Sequence, residues 1–109
     1  MTPSVVRPPG GNWSDAALAV LADMGLPAVF WNVDPRDWEE RNAQNIVGHV
    51  LDEAEDGRVV IMHDLYEQTA EAVEAIVPEL VSRGFELVTV DELAKDRGGM
   101  SPGERYYGF

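Results

Sequence analysis

Short apolar runs that alternate with longer amphipathic stretches constrain this chain more than any other feature. The runs are Ser4 to Arg7, Ala28 to Val33, Val59 to Met62 and Phe85 to Val90. Between them, apolar residues recur at helical spacing. Ala17, Leu18, Leu21 and Ala22 follow an N-cap at Ser14 and stop at Gly25. Ile46, Val47, Val50, Leu51 and Ala54 stop before Gly57, which stands as a C′ glycine. Ala70, Val73, Ile76, Val77, Leu80 and Val81 mark a helix from about Thr69 to Arg83, with Pro78 removing one backbone bond and bending it and Gly84 ending it. A helical turn at Asp91 to Ala94 and a Gly/Pro-containing loop from Gly98 complete the chain. Strands alternating with helices predict an α/β fold with parallel strands.

The 109 residues amount to one domain. Twenty Asp and Glu against eight Lys and Arg leave a net charge of −12, a field that repels phosphate backbones and anionic lipid, so nucleic acid and membrane surfaces are poor partners. With no Cys there is no thiolate nucleophile and no Cys-bound metal. No apolar run approaches the ~20 residues of a membrane helix. Met1 to Arg7 lacks the charged-then-apolar order of a secretory leader.

The polar residues fall at regular places. Arg7, then Asp34 with Asp37 and Trp38, then His63 with Asp64 each follow the C-terminal end of a predicted strand. In parallel α/β folds that edge is where sites are built. Several of these residues also have plain structural uses: Asp34 before Pro35 suits a turn, Asp64 a helix cap, Trp13 and Trp31 core or helix packing. His49 lies off the apolar stripe of its helix and faces solvent, as do the acidic runs Asp52 to Asp56 and Glu67 to Glu79.

Arg7-Pro8-Pro9-Gly10-Gly11, Trp31-Asn32-Val33-Asp34-Pro35-Arg36-Asp37-Trp38 and Ile61-Met62-His63-Asp64 together resemble the third, fourth and fifth motifs of the NodB-homology polysaccharide deacetylases, carbohydrate esterase family four. The segments Val77 to Leu80, Gly84 to Leu93 and Pro102 to Tyr107 extend the resemblance over nearly the whole chain. It implies part of a distorted (β/α) barrel that removes acetyl groups from N- or O-acetylated glycans of the chitin, peptidoglycan or xylan kind with a bound, zinc-like divalent metal. It also implies that residues 1–109 are the C-terminal half of the domain, because the paired-Asp and two-His motifs that precede Arg-Pro-Pro in the family are absent from the sequence. Cell-wall or extracellular location is implied in the same way.

The residue chemistry agrees on the metal. Metal-assisted hydrolysis needs about three protein ligands and an open position, and His49 and His63 are the only histidines. By resemblance, His63 matches the general acid, Asp37 its carboxylate partner, and Arg7 the residue that holds the base supplied by the other half. The backbone N–H of Gly10 matches an oxyanion donor, at a position where a Tyr is usual in the family. Ile61 replaces a common Leu in the acetyl-methyl pocket, and Trp38 walls the same pocket. Two functions are compatible with these residues: a deacetylase completed by its N-terminal half, or a non-catalytic glycan- or protein-binding module that keeps a remnant of the fold. Half of a barrel leaves a strand edge and an apolar face uncovered, so association with that half or self-association is expected.

Overall fold

The segment 28–33 sits in the middle of the molecule because it is hydrogen-bonded on both sides. The computed structural model describes residues 2–109. Val29 N donates to Val6 O at 2.8 Å on one side, while Ala28 N and Phe30 N donate to Glu104 O and Tyr106 O at 2.9 and 2.7 Å on the other. Farther along, Asn32 N donates to Val59 O and Ile61 N to Val33 O, at 3.0 and 3.1 Å. Alternate amides of an extended chain point to opposite sides, so a single segment can serve all three neighbours. Residues Ala28, Val29, Phe30 and Val33 are accordingly buried.

Regular strand is short. β1 (Ala28–Val29) pairs in parallel with β2 (Arg105–Tyr106), and isolated parallel bridges join Val6 to Ala28 and Val33 to Val60. The α/β character and the parallel direction match the sequence reading, with two corrections. The tail, expected as a loop, supplies β2: Gly103, at φ 77°, brings the chain close enough to the helix over Asp15–Asp23 that a Cβ there would lie 2.7 Å from Ala22 Cβ. The run Phe85 to Val90 is not a strand. Residues 85–89 make no sheet hydrogen bond among the described residues, Leu87 and Val88 are exposed, and Val90 already belongs to the last helix. A strand needs a neighbour, and none lies beside this segment.

The helices are α1 (Asp15–Asp23), α2 (Ala43–Glu53), α3 (Glu67–Ser82) and α4 (Val90–Lys95). Ser14 caps α1 by accepting from Ala17 N at 3.1 Å. Asn42 caps α2 by accepting from Gln44 N at 2.8 Å. Gly25 and Gly84, at φ 76° and 91°, end α1 and α3 in the same way, with Leu26 N on Leu21 O and Phe85 N on Leu80 O. Gly57 does not play that part, since α2 ends at Glu53 and Ala54 leaves it in an extended conformation. α3 runs unbroken through Pro78 to Ser82. No helix among the described residues is long and apolar enough to cross a membrane.

α2 and α3 pack on each other through Ile46, Val50, Ala72, Ile76 and Leu80. α2 buries the face its periodicity predicts. α3 is turned relative to its predicted stripe: Thr69, Ala72, Ile76 and Leu80 are buried, whereas Ala70, Val77 and Val81 are exposed. Trp13, expected in the core or in helix packing, is 42% exposed, with the Arg105 guanidinium 3.8 Å from its ring centroid. The two α3 faces make different predictions. Ile76→Ala should cost about 2–5 kcal/mol through the cavity it leaves. Val81→Ala should stay within about 0.5 kcal/mol. Urea unfolding of the two variants measures both, and equal losses would mean that the buried face has been wrongly placed.

Candidate functional site

Three loops that follow the ends of the parallel segments converge on one cleft. After Val6 and Arg7, the chain turns through a 3₁₀ turn at Pro9–Gly11, where Gly10 and Gly11 take φ values of 66° and 71°. At Gly11 the backbone lies against the Trp31 ring so closely that a Cβ would meet a ring carbon at 2.9 Å. The second loop is pinned by Asp34, whose Oδ1 accepts from Arg36 N at 2.9 Å, and by Arg36 in the left-handed region at φ 52°. Arg36 lies 5.0 Å from the Trp38 ring centroid and pairs with Glu39 at 2.8 Å, so the indole is stacked on one side and 47% exposed on the whole. The third loop carries Ile61 and His63.

The cleft has a volume of about 330 Å³ and is lined by Arg7, Pro9, Gly10, Trp31, Asp34, Trp38, Ile61 and His63. Five of the six site residues singled out from the sequence therefore share one wall system, and the sixth, Asp37, lies directly behind His63. From the sequence, Trp31 and Asp34 are expected only as packing and turn residues. Asp34 does form the turn, yet both also face the cleft. Asp64 is exposed and does not cap α3, whose N-cap residue Tyr66 has no side-chain cap bond.

Asp37 has no exposed surface. Its Oδ1 meets His63 Nδ1 at 2.8 Å, and its Oδ2 accepts from His63 N at 2.5 Å and from the Thr69 hydroxyl at 2.7 Å. Its own carbonyl accepts from Gln68 Nε2 at 3.0 Å. Burial alone would push the Asp37 carboxyl up, but the His63 backbone and side-chain bonds, the Thr69 bond and the charge of His63 outweigh it and hold the group below the ordinary aspartate value. A carboxylate accepts and cannot donate, so the neutral His63 ring carries its proton on Nδ1. Nε2 is then the ring atom left for the cleft, and the side chain is one-third exposed. None of the six ion pairs among the described residues involves Arg7, which lines the cleft.

The sequence is 40% identical to a peptidoglycan-N-acetylmuramic acid deacetylase of Bacillus subtilis, PdaC, over 84% of this chain and 19% of that protein. Among solved structures, a T48 deacetylase with substrate superposes with a TM-score of 0.86 at 34% identity, covering 97% of this chain and 51% of the other. A family 4 acetyl xylan esterase from Clostridium thermocellum, in complex with a cobalt ion, gives 0.86 at 28% identity over 99% of this chain and 54% of the other. No family model matches. The chain belongs to carbohydrate esterase family four.

As a family four chain it spans about half the length of those solved structures and a fifth of PdaC. The cobalt in the esterase bears on the family, but the residues of this chain do not fit a metal. Among the described residues no three His, Cys, Asp or Glu side chains are grouped to hold an ion. His63 has one ring nitrogen committed to Asp37, and His49 pairs with Glu53 at 2.9 Å on the outer face of α2. At Gly10 the chain departs from the family's usual Tyr, and the left-handed backbone there suits glycine.

The depressed Asp37 value ties stability to pH. The folded value lies below the unfolded one, so the stabilisation is complete above the unfolded aspartate value and fades as pH falls through the folded one. Urea midpoints of the wild-type chain should drop across that acidic window. Asp37→Asn should start less stable at pH 7 and lose less across the same window, and parallel curves for the two proteins would count against the assignment.

Proposed function

We propose that residues 1–109 are the C-terminal half of a polysaccharide deacetylase domain and provide the acid side of its active site. The observation that carries this reading is the His63–Asp37 pair at the back of a cleft whose other walls are Arg7, Gly10, Trp38 and Ile61. Hydrolysis of an acetamide consumes water and yields acetate and an amine. Once water has added to the acetyl carbon, the C–N bond breaks only if the nitrogen gains a proton. His63 in its imidazolium form donates that proton from Nε2 and returns to the neutral ring with its remaining proton still on Nδ1 and bonded to Asp37. An acetyl ester follows the same course, with the proton going to the leaving oxygen.

The other residues position the substrate and the groups around it. Ile61 and Trp38 take the acetyl methyl group, and the Gly10 N–H faces the oxygen that becomes negative. Arg7 offers a planar, bidentate grip to the carboxylate base. In this reading that base and the divalent metal belong to the N-terminal half. The substrate is an acetylated glycan of the peptidoglycan, chitin or xylan kind, which places the whole protein at the cell wall or outside the cell.

Several exposed features support a chain that is one part of a distorted (β/α) barrel. A groove of about 790 Å³ opens between Val59, Val60 and the unpaired residues Phe85, Leu87 and Val88. Val6 is bridged to Ala28 and to no other residue among those described. Unpaired strand edges and apolar faces call for a neighbour, and the N-terminal half is the proposed one, with self-association in its absence.

The test is complementation. This chain is mixed with the N-terminal half of the B. subtilis relative's deacetylase domain and Zn²⁺, and acetate release from a chitooligosaccharide and from peptidoglycan fragments is measured. Acetate should appear in the mixture and not with either half alone, and His63→Ala should lower the rate at least about 100-fold. A mixture that binds glycan without releasing acetate would make the chain a binding module, and a His63→Ala rate equal to wild type would remove the acid role.

A further inference from the structure

Asp37 can orient His63 only if something orients Asp37. The carboxylate of an Asp side chain turns readily about its last torsion, so which oxygen faces His63 Nδ1 must be decided by the other bonds. Oδ2 is the oxygen so decided, because it accepts from both His63 N and the Thr69 hydroxyl, at 2.5 and 2.7 Å. The backbone amide comes from the same residue whose ring is to be oriented. The Thr69 hydroxyl is the independent anchor, from the first turn of α3, 32 positions along the chain from Asp37. Thr69 is 4% exposed, so water does not replace it. Its neighbour Gln68 holds the Asp37 carbonyl at 3.0 Å, and two consecutive residues thus fix both the main chain and the side chain of Asp37.

We infer that Thr69 is a positioning residue for the acid: its hydroxyl locks the Asp37 carboxylate so that His63 keeps its proton on Nδ1 and presents Nε2 to the cleft. Thr69 touches neither the cleft nor the substrate. It acts through Asp37, and its importance for turnover rests on the deacetylase reading, whereas its effect on the His63 ring does not. Valine matches threonine in shape and lacks the donor, and serine keeps the donor and loses only a methyl group.

The test uses the 109-residue chain with ¹⁵N-labelled histidine. At alkaline pH, two-bond ¹H–¹⁵N correlations report the tautomer of each ring, and exposed His49 serves as the internal reference. Wild type should show His63 as the Nδ1–H tautomer alone. Thr69→Val should show a mixture with an Nε2–H fraction well above wild type, and Thr69→Ser should restore the wild-type pattern. An unchanged pure Nδ1–H tautomer in Thr69→Val overturns the inference. Should Thr69→Val fail to fold, the wild-type chain still decides: a Thr69 hydroxyl proton in slow exchange with water supports the bond to Asp37, and a freely exchanging one refutes it. In the complemented enzyme, Thr69→Val should lower kcat about 10-fold with KM within about twofold, rescued by serine. An unchanged kcat beside an active wild type also overturns the inference. If the complemented wild type is itself inactive, the deacetylase reading fails and the tautomer result stands by itself.

Discussion

A carboxylate with no exposed surface has to be solvated by the protein, and Asp37 receives that solvation from a backbone amide, an imidazole and a hydroxyl drawn from two other parts of the chain. Each bond is charge-assisted and so stronger than its neutral counterpart. Together they fasten the loop after segment 28–33 to the end of the neighbouring parallel segment and to the start of α3. No buried side-chain N or O atom among the described residues is left without a partner. The cost of burying a charge is offset only while all three donors are in place, so loop, segment end and helix are held in one arrangement. The orientation of the His63 ring follows from that arrangement.

The same bonds explain how α3 is turned. Its apolar residues would allow a wide buried stripe, but the cluster it joins is built from α2 with Val60, Met62 and Phe85 beside it, and this covers one face of α3. Of the faces available, the one that buries Ile76 and Leu80 also carries Thr69 toward Asp37. Val77 and Val81 are left outside. A threonine in a helix's first turn is unremarkable in sequence, and only the position of Asp37 gives its hydroxyl a task. For that reason the site's polar residues at strand ends were legible in the sequence, while Thr69 and Gln68 were not.

Legibility elsewhere followed the same division between local and distant causes. Ser14, Gly25 and Gly84 act within a few residues of themselves, and the helices begin and end where those residues direct. Arg7, Asp37 and His63 were readable because motif order and the strand-end rule both placed them together. The tail is not legible as a strand because β2 depends on distant partners: Glu104 and Tyr106 carbonyls meet Ala28 and Phe30 amides, and Gly103 allows the approach to Ala22. Residues 85–89 mislead for the opposite reason, since an apolar, β-branched run predicts a strand wherever a neighbour exists and this one pairs with none among the described residues.

Directionality makes the two ends of the parallel segments unequal, and the chain uses both. Segments 5–6, 28–33 and 59–61 run the same way, so all their following loops rise at one end, where Arg7, the 34–38 turn and His63 meet. At the start of segment 28–33 the side that faces Val59 farther along is filled by residues 104–106, which satisfy the Ala28 and Phe30 amides. Tyr107 stacks on Phe30 with ring centroids 4.7 Å apart, and Phe109 N donates to Gly57 O at 2.8 Å. The tail thus closes the end remote from the cleft and spares the cleft end any covering of its own. In a chain with a net charge of −12, Arg7, which forms no ion pair among the described residues, lines that cleft with the Asp34 carboxylate, His63 and the apolar walls of Trp31, Trp38 and Ile61. A cleft that sets one cation, one carboxylate and an imidazole among indole and aliphatic walls suits a ligand with both polar and apolar parts.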